Sequence, residues 1–196
     1  LSESKIHFMR HQSPTTWAAI SICLAAMVHF ALGFTIEFSV DEAHYALYAQ
    51  HLAWSYFDHP PLVGWIQWPL VALTASEGLI RLVPELLWVI ACILVYQVTL
   101  ELHRLIQSRN TVYLTSALPS ANLCGLLAVL AIIAAPMPHI LAIGLLPDTI
   151  LAPLSLAILW MALRWLQARS FSKGEWLALG VLLGLAGLSK YTAAFT

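Results

Sequence analysis

Glu37-Phe-Ser-Val-Asp41-Glu42-Ala-His44-Tyr45-Ala-Leu-Tyr48-Ala-Gln-His51-Leu-Ala-Trp54-Ser-Tyr56-Phe-Asp58-His59-Pro60-Pro61-Leu-Val-Gly-Trp65 is the one long stretch of this chain too polar to cross a bilayer. It sets acids, histidines and Tyr or Trp rings between two strongly apolar regions, so any chemistry belongs here. Of the 196 residues, 60% are hydrophobic and 10% charged, and the mean hydropathy is +0.80. A soluble domain carries roughly 25% charged residues. The composition therefore describes an integral membrane protein, all-α and polytopic. The formal net charge of −1 gives no support to a nucleic-acid partner. Cys23, Cys92 and Cys124 all lie in apolar runs, where a thiol behaves as a small hydrophobe, and no disulfide is expected.

Working outward, the first span is expected over about 17–36, uncharged and about as long as roughly 30 Å of hydrocarbon requires. The outer loop 37–80 follows, then spans over 81–102, 114–135, 149–166 and 175–196. Pro136-Met-Pro138 ends the third span, because proline lacks the backbone donor that a helix interior needs. The apolar stretch from His139 to Leu146 is too short to cross alone and is placed as a short helix or loop in the outer half of the membrane. Pro147-Asp148 suits the first turn of the fourth span. The last span runs to the end of the sequence, so the chain is expected to be the N-terminal part of a longer protein and inactive alone. Lys5, Arg10, Arg104, Arg109, Arg164, Arg169 and Lys173 fall on one side, leaving Arg81 and Lys190 towards the other. By the positive-inside rule the first side is cytoplasmic, as is the N-terminus. Asp148 then shares the outer face with Asp41 and Glu42.

Ser39-Val-Asp41-Glu42 has the form of a capping box, which predicts a helix from Val40 to about Trp54. Its period puts Asp41, His44, Tyr45, Tyr48 and His51 along one face. Such a helix can lie in the interface with its rings at headgroup level and membrane lipids around it. Capping and the helix dipole account for Glu42 and Asp41 without any catalysis. Pro60-Pro61 forms a rigid corner that returns Asp58 and His59 towards Asp41, and a second partly embedded helix runs from Leu62 to about Ala72. His44 and His51 are two turns apart, too far for joint ligation, so a divalent cation here would use carboxylates and one histidine, with Asp58 and His44 as ligands, and the alternative is isolated interfacial histidines making ordinary hydrogen bonds. Asp148 and Lys190 are lone charges in apolar runs. Each is a functional candidate, and each has a bland alternative: a helix cap for Asp148, and for Lys190 a side chain snorkelling to the interface or pairing with a lipid phosphate.

Asp41-Glu42 after a first span, His59-Pro60-Pro61-Leu62, Arg81-Leu82, Pro147-Asp148 and Gly187-Leu-Ser-Lys190-Tyr191 follow one another in an order that resembles the N-terminal part of the GT-C glycosyltransferases of family 39. This group holds the protein O-mannosyltransferases and is related to the lipid A aminoarabinose transferases. The resemblance implies a GT-C transmembrane bundle. Its implied activity is transfer of a sugar from a polyprenyl-phosphate donor to a hydroxyl of a lipid, glycan or protein acceptor on the outer face, as in a bacterial inner membrane. It makes Asp41 the catalytic base, Glu42 its acidic neighbour and Asp148 the acid of the second outer loop, all three catalytic candidates. His59, Arg81, Lys190, Tyr45 and Tyr191 are the candidates for binding substrate, with a cation needed beside the departing phosphate. The related aminoarabinose enzymes carry an acid and a lysine before their Pro-Pro, where this chain has Asp58 and His59. A transporter using Asp41, Glu42, Asp148 and Lys190 as an ion or proton relay is the competing class. A non-catalytic lipid-binding module is the third.

Overall fold

The computed structural model describes residues 13–109, 118–167 and 170–195. Lys5, His7, Arg10, His11, Arg169 and the first residues of the expected third span lie outside them. Every regular element among the described residues is helical: α1 Pro14–Gly33, α2 Val40–Gln50, α3 Leu62–Leu73, α4 Glu77–Ile80, α5 Leu82–Ser108, α6 Ala121–Ala134, α7 Pro136–Ile143, α8 Pro147–Gln167 and α9 Lys173–Ser189, closed by a 3-10 turn Tyr191–Phe195.

Three helical stretches, α1, α4 with α5, and α8, are long and apolar enough to cross a membrane, and the bent pair α6–α7 makes a fourth if it is counted as one span. The protein is therefore an all-α polytopic membrane protein. Side-chain bonds fix how the helices run. At one end, Thr15 on α1 meets the Tyr96 hydroxyl on α5 at 2.7 Å, Gln167 on α8 donates to Glu101 on α5 at 3.2 Å, and His103 meets the Pro119 carbonyl at 3.0 Å. At the other, Arg81 donates to the Gly33 carbonyl at 2.8 Å and Lys190 to Asp148 at 2.7 Å. Successive long helices therefore alternate in direction, and α2 and α3 gather at the second end, called here the site end.

Several boundaries differ from the sequence expectation, for local reasons. The first helix spans Pro14–Gly33 instead of 17–36, because Ser13 caps it by accepting from Thr16 N at 3.2 Å. Helix α2 stops at Gln50, short of Trp54. His51 leaves helical geometry at φ −124° and ψ 72°, and the Tyr56 hydroxyl serves the last carbonyls, donating to Tyr48 O at 2.7 Å. Helix α5 continues to Ser108, past the expected Leu102. The chain turns by 74° between α6 and α7. Pro136 holds Ala135 in extended backbone (φ −87°, ψ 132°), and α7 packs against α1 and α5 in the site half. Helix α9 ends at Ser189 and does not run on to 196, since Lys190 is extended at φ −156° and ψ 141°.

Two clusters hold the bundle. Ala18, Ile22, Trp88, Cys92, Tyr96, Val129 and Ala142 join α1, α5, α6 and α7. Tyr45, Val63, Leu145 and Ile150 join α2 and α3 to the start of α8. This second cluster positions the site, because it seats the first polar segment on the turn that carries Asp148. Leu24, Met27, Val28, Leu86, Leu177 and Val181 point outward and are exposed, as lipid-facing residues are.

Candidate functional site

The capping box forms with both halves present: the Ser39 hydroxyl accepts from Glu42 N at 3.3 Å, and Glu42 Oε2 accepts from Ser39 N at 2.9 Å. That fixes the first turn of α2 and sends Asp41 and Glu42 in different directions. Glu42 is buried. Its two oxygens accept from Arg81 Nε at 2.8 Å and Nη2 at 3.1 Å, a bidentate pair. Arg81 also donates to the carbonyls of Gly33, Ile36 and Glu37. A guanidinium has five N–H donors, so all of them are engaged, and the group lies 5.0 Å from the Phe38 ring. Glu42 and Arg81 thus clamp the end of α1, the start of α2 and the start of α5 together.

Asp41, by contrast, is exposed and makes no hydrogen bond or ion pair among the described residues. Its neighbour one turn on is Tyr45, whose ring is buried against Val63, Leu145 and Ile150. Burial, then the charges of Asp58, Asp41 and Asp148 in that order, push the Tyr45 phenol up to about 12. One phenol therefore feels three carboxylates from three separate parts of the chain, and it stays protonated, a donor and not a base.

The α7–α8 connection completes the arrangement. Thr149 Oγ1 donates to Gly144 O at 3.0 Å and accepts from Leu146 N at 3.1 Å, which organises the first turn of α8 around Pro147 and Asp148. Gly144 packs so near Glu42 that a Cβ there would stand 3.6 Å from Glu42 Cγ. Asp148 is half exposed, and both its oxygens accept from Lys190 Nζ at 2.7 Å. The two acidic segments therefore meet at one end of the bundle.

Beyond Tyr45 lies a knot of rings and one acid. The Tyr48 hydroxyl makes a short hydrogen bond to Asp58 Oδ1 and lies 2.8 Å from His44 Nε2, while its ring stacks on Tyr56 at 3.7 Å. The Tyr48 bond holds the Asp58 carboxyl below its usual range, with His59 and His44 adding to the effect. His44 and Asp58 come within 3.5 Å, with the Tyr48 hydroxyl bonded to both. Among the described residues no three His, Cys, Asp or Glu side chains gather as a metal-ion site. His59 lies 3.9 Å from Asp58, with its ring 5.4 Å from that of Tyr45. Tyr191 is exposed on the 3-10 turn next to Lys190. An apolar cleft of about 260 Å³ between α1 and α5 is lined by Thr15, Ile22, Val89 and Tyr96, and a cavity of about 640 Å³ between α2, α4 and the end of α3 by Ala46, Gln50, Leu73 and Ile80. Asp41, Asp148 and Lys190 line neither.

His29, Glu85 and His139 form a further polar cluster, inside the bundle. The signal for it in the sequence is Glu85 itself, an acid in the first turn of a mostly apolar span, which is costly unless it is paired.

Fold and site together define a helical membrane bundle with carboxylates and a lysine converging at one end. Residues 58–196 match the dolichyl-phosphate-mannose-protein mannosyltransferase family, and the chain belongs to it: this is a membrane glycosyltransferase of the GT-C type. The match takes in Asp58, His59, Arg81, Asp148, Lys190 and Tyr191, and begins after Asp41, Glu42, His44 and Tyr45. No curated protein and no solved structure matches the chain.

Proposed function

We propose that the site end transfers a sugar from a polyprenyl phosphate to a hydroxyl of a lipid, glycan or protein acceptor. The observation that carries this is the seating of the turn before Asp148 on α2, where Gly144 lies against Glu42 beside Asp41 and Leu145 packs on Tyr45, with Lys190 paired to Asp148. In the reaction, Asp41 takes the proton of the acceptor hydroxyl as its oxygen attacks the anomeric carbon. The bond from that carbon to the carrier oxygen breaks, and its electron pair leaves on the phosphate. Asp41 suits the base because it is exposed and has no partner among the described residues. A positioned base contributes about a hundred- to ten-thousandfold.

The leaving phosphate needs a fixed positive charge beside it. Lys190 meets that need: its ammonium has three donors, and Asp148 holds it at the site end without burying it. Asp148 orients the lysine, the Tyr45 hydroxyl donates to the sugar, and His59 and Tyr191 flank the donor. Glu42 and Arg81 hold Asp41 in place through their clamp. Arg104, Arg109, Arg164 and Lys173 lie away from the site end, which under the positive-inside rule supports transfer on the outer face and a cytoplasmic N-terminus, as in a bacterial inner membrane.

The test is transfer of radiolabel from a polyprenyl-phosphate sugar by membranes carrying the full-length enzyme, with vesicle ion flux measured in parallel. Asp41→Asn should lower transfer by about a hundredfold or more while insertion is unchanged. Turnover equal to the parent removes Asp41 as the base. Ion flux without transfer replaces this reading with a relay.

A further inference from the structure

Three polar side chains that sugar transfer leaves unused are joined inside the bundle. His29 on α1 and Glu85 on α5 are buried, and His29 Nδ1 lies 3.1 Å from Glu85 Oε2. His29 Nε2 lies 2.6 Å from His139 Nδ1 on α7, and His139 Nε2 lies 2.6 Å from the Ile133 carbonyl. The Trp88 ring meets that of His29 edge-on at 4.7 Å.

With His139 neutral, the three contacts assign the protons. A carbonyl only accepts, so His139 Nε2 donates to Ile133 O. In a neutral imidazole the other nitrogen then accepts, so His29 Nε2 donates to His139 Nδ1. One proton remains between His29 Nδ1 and Glu85 Oε2. Whichever atom holds it, the cluster carries no net charge, which makes it tolerable at membrane depth. The cluster also ties together three elements with different sequence origins. Helix α7 runs between extended residues, Ala135 (φ −87°, ψ 132°) and Gly144 (φ −93°, ψ 126°), so its direction is not set by helical continuity with α6. His139 pins this short helix to α1 through His29, to α5 by way of His29 and Glu85, and to the last turn of α6 through the Ile133 carbonyl, and the next turn delivers Gly144 to Glu42 and Asp148 to Lys190.

We propose that His29, Glu85 and His139 are positioning residues: a one-proton latch that fixes the bent helix α7 and thereby sets where Asp148 stands relative to Asp41. The link to turnover rests on the sugar-transfer reading; the latch itself does not.

The experiment uses the full-length enzyme in lipid nanodiscs with Cys23, Cys92 and Cys124 replaced by alanine. Spin labels at Val40→Cys and Met137→Cys, both at exposed positions, report the distance between α2 and α7, and transfer kinetics are measured on the unlabelled chains. His139→Leu and Glu85→Leu cut the chain of bonds. Each should broaden or shift the distance and lower kcat by about ten- to a hundredfold, with KM for the polyprenyl-phosphate sugar held within about threefold. His139→Asn keeps an acceptor for His29 Nε2, and Glu85→Gln keeps a donor for His29 Nδ1, so both should retain the parental distance and most of kcat. Native distances in the Leu variants, or Asn and Gln variants as damaged as the Leu ones, would each overturn the latch, and a shifted distance with unchanged kcat would overturn its link to turnover. If the Leu variants fail to insert, the Asn and Gln pair decides alone: parental distance and kcat support the latch, and loss of either overturns it. Distances that behave as expected in a parent without transfer support the latch and overturn the sugar-transfer reading.

Discussion

Two ion pairs of the same kind sit a short way apart at the site end, and they differ in what surrounds them. In Glu42–Arg81 the side chains are 9% and 4% exposed, and every guanidinium donor is engaged. In Asp148–Lys190 they are 49% and 28% exposed, and each group has room for a further partner. A buried, saturated pair is part of the scaffold, while a half-exposed pair can exchange one partner for another at little cost. The sequence marks all four residues as candidates, and the surroundings divide them.

The largest stability effect that would break this division is at the clamp. Arg81→Met leaves Glu42 buried and uncompensated, which costs about 3–5 kcal/mol. Thermal unfolding in nanodiscs should show it, and adding Glu42→Leu should recover much of the loss. A single variant as stable as the parent would remove the clamp from the scaffold. The second pair should behave in the opposite way. Asp148→Asn or Lys190→Met should change stability by less than about 1 kcal/mol, as exposed pairs do, while transfer falls about tenfold or more. If stability collapsed instead, the two pairs would be of one kind.

Much of this was legible beforehand because it is local. Ser39-x-x-Glu42 announces its capping box, Pro60-Pro61 its corner, Pro136 its break and Pro147-Asp148 the start of α8, since each acts on backbone within a few residues. The partners were not legible. Arg81 reaches Glu42 across 39 positions and Lys190 reaches Asp148 across 42. Helices that are apolar all round, as α1 and α9 nearly are, carry no stripe to say which neighbour they face. For the same reason His29, Glu85 and His139 cannot be matched from sequence, although Glu85 alone signals that some partner exists. The early end of α2 was hidden because the Tyr56 hydroxyl that serves its last carbonyls comes from beyond the helix.

Smaller effects sharpen the contrast by probing the seat of Asp41. A Cβ on Gly64 would stand 2.7 Å from the Tyr56 hydroxyl and 3.1 Å from the Tyr48 carbonyl carbon, which is backbone and cannot yield. Gly64→Ala should therefore push α3 off α2 and cost about 1–3 kcal/mol, with protease sensitivity appearing first between Leu52 and Pro61. Cleavage unchanged in that segment would count against the α2–α3 seam. The smallest effect is electrostatic. Tyr48 holds the Asp58 carboxyl below its usual value, so the folded state gains stability above the unfolded carboxyl value of about 4. That gain is lost as pH falls through the lower folded value. Tyr48→Phe should raise the Asp58 midpoint towards the ordinary value, read by carboxyl-selective NMR titration. An unmoved midpoint would assign the depression to His59 and His44.

The most direct measurement is an experimental structure of the enzyme in lipid with a non-hydrolysable polyprenyl-phosphate sugar bound. The phosphate should lie within hydrogen-bond distance of Lys190 Nζ, with the anomeric carbon turned towards Asp41 and the sugar over Tyr45. A carrier lodged at the Thr15–Tyr96 cleft, or a sugar held away from both Asp41 and Asp148, would contradict the assignment of this end of the bundle as the transfer site.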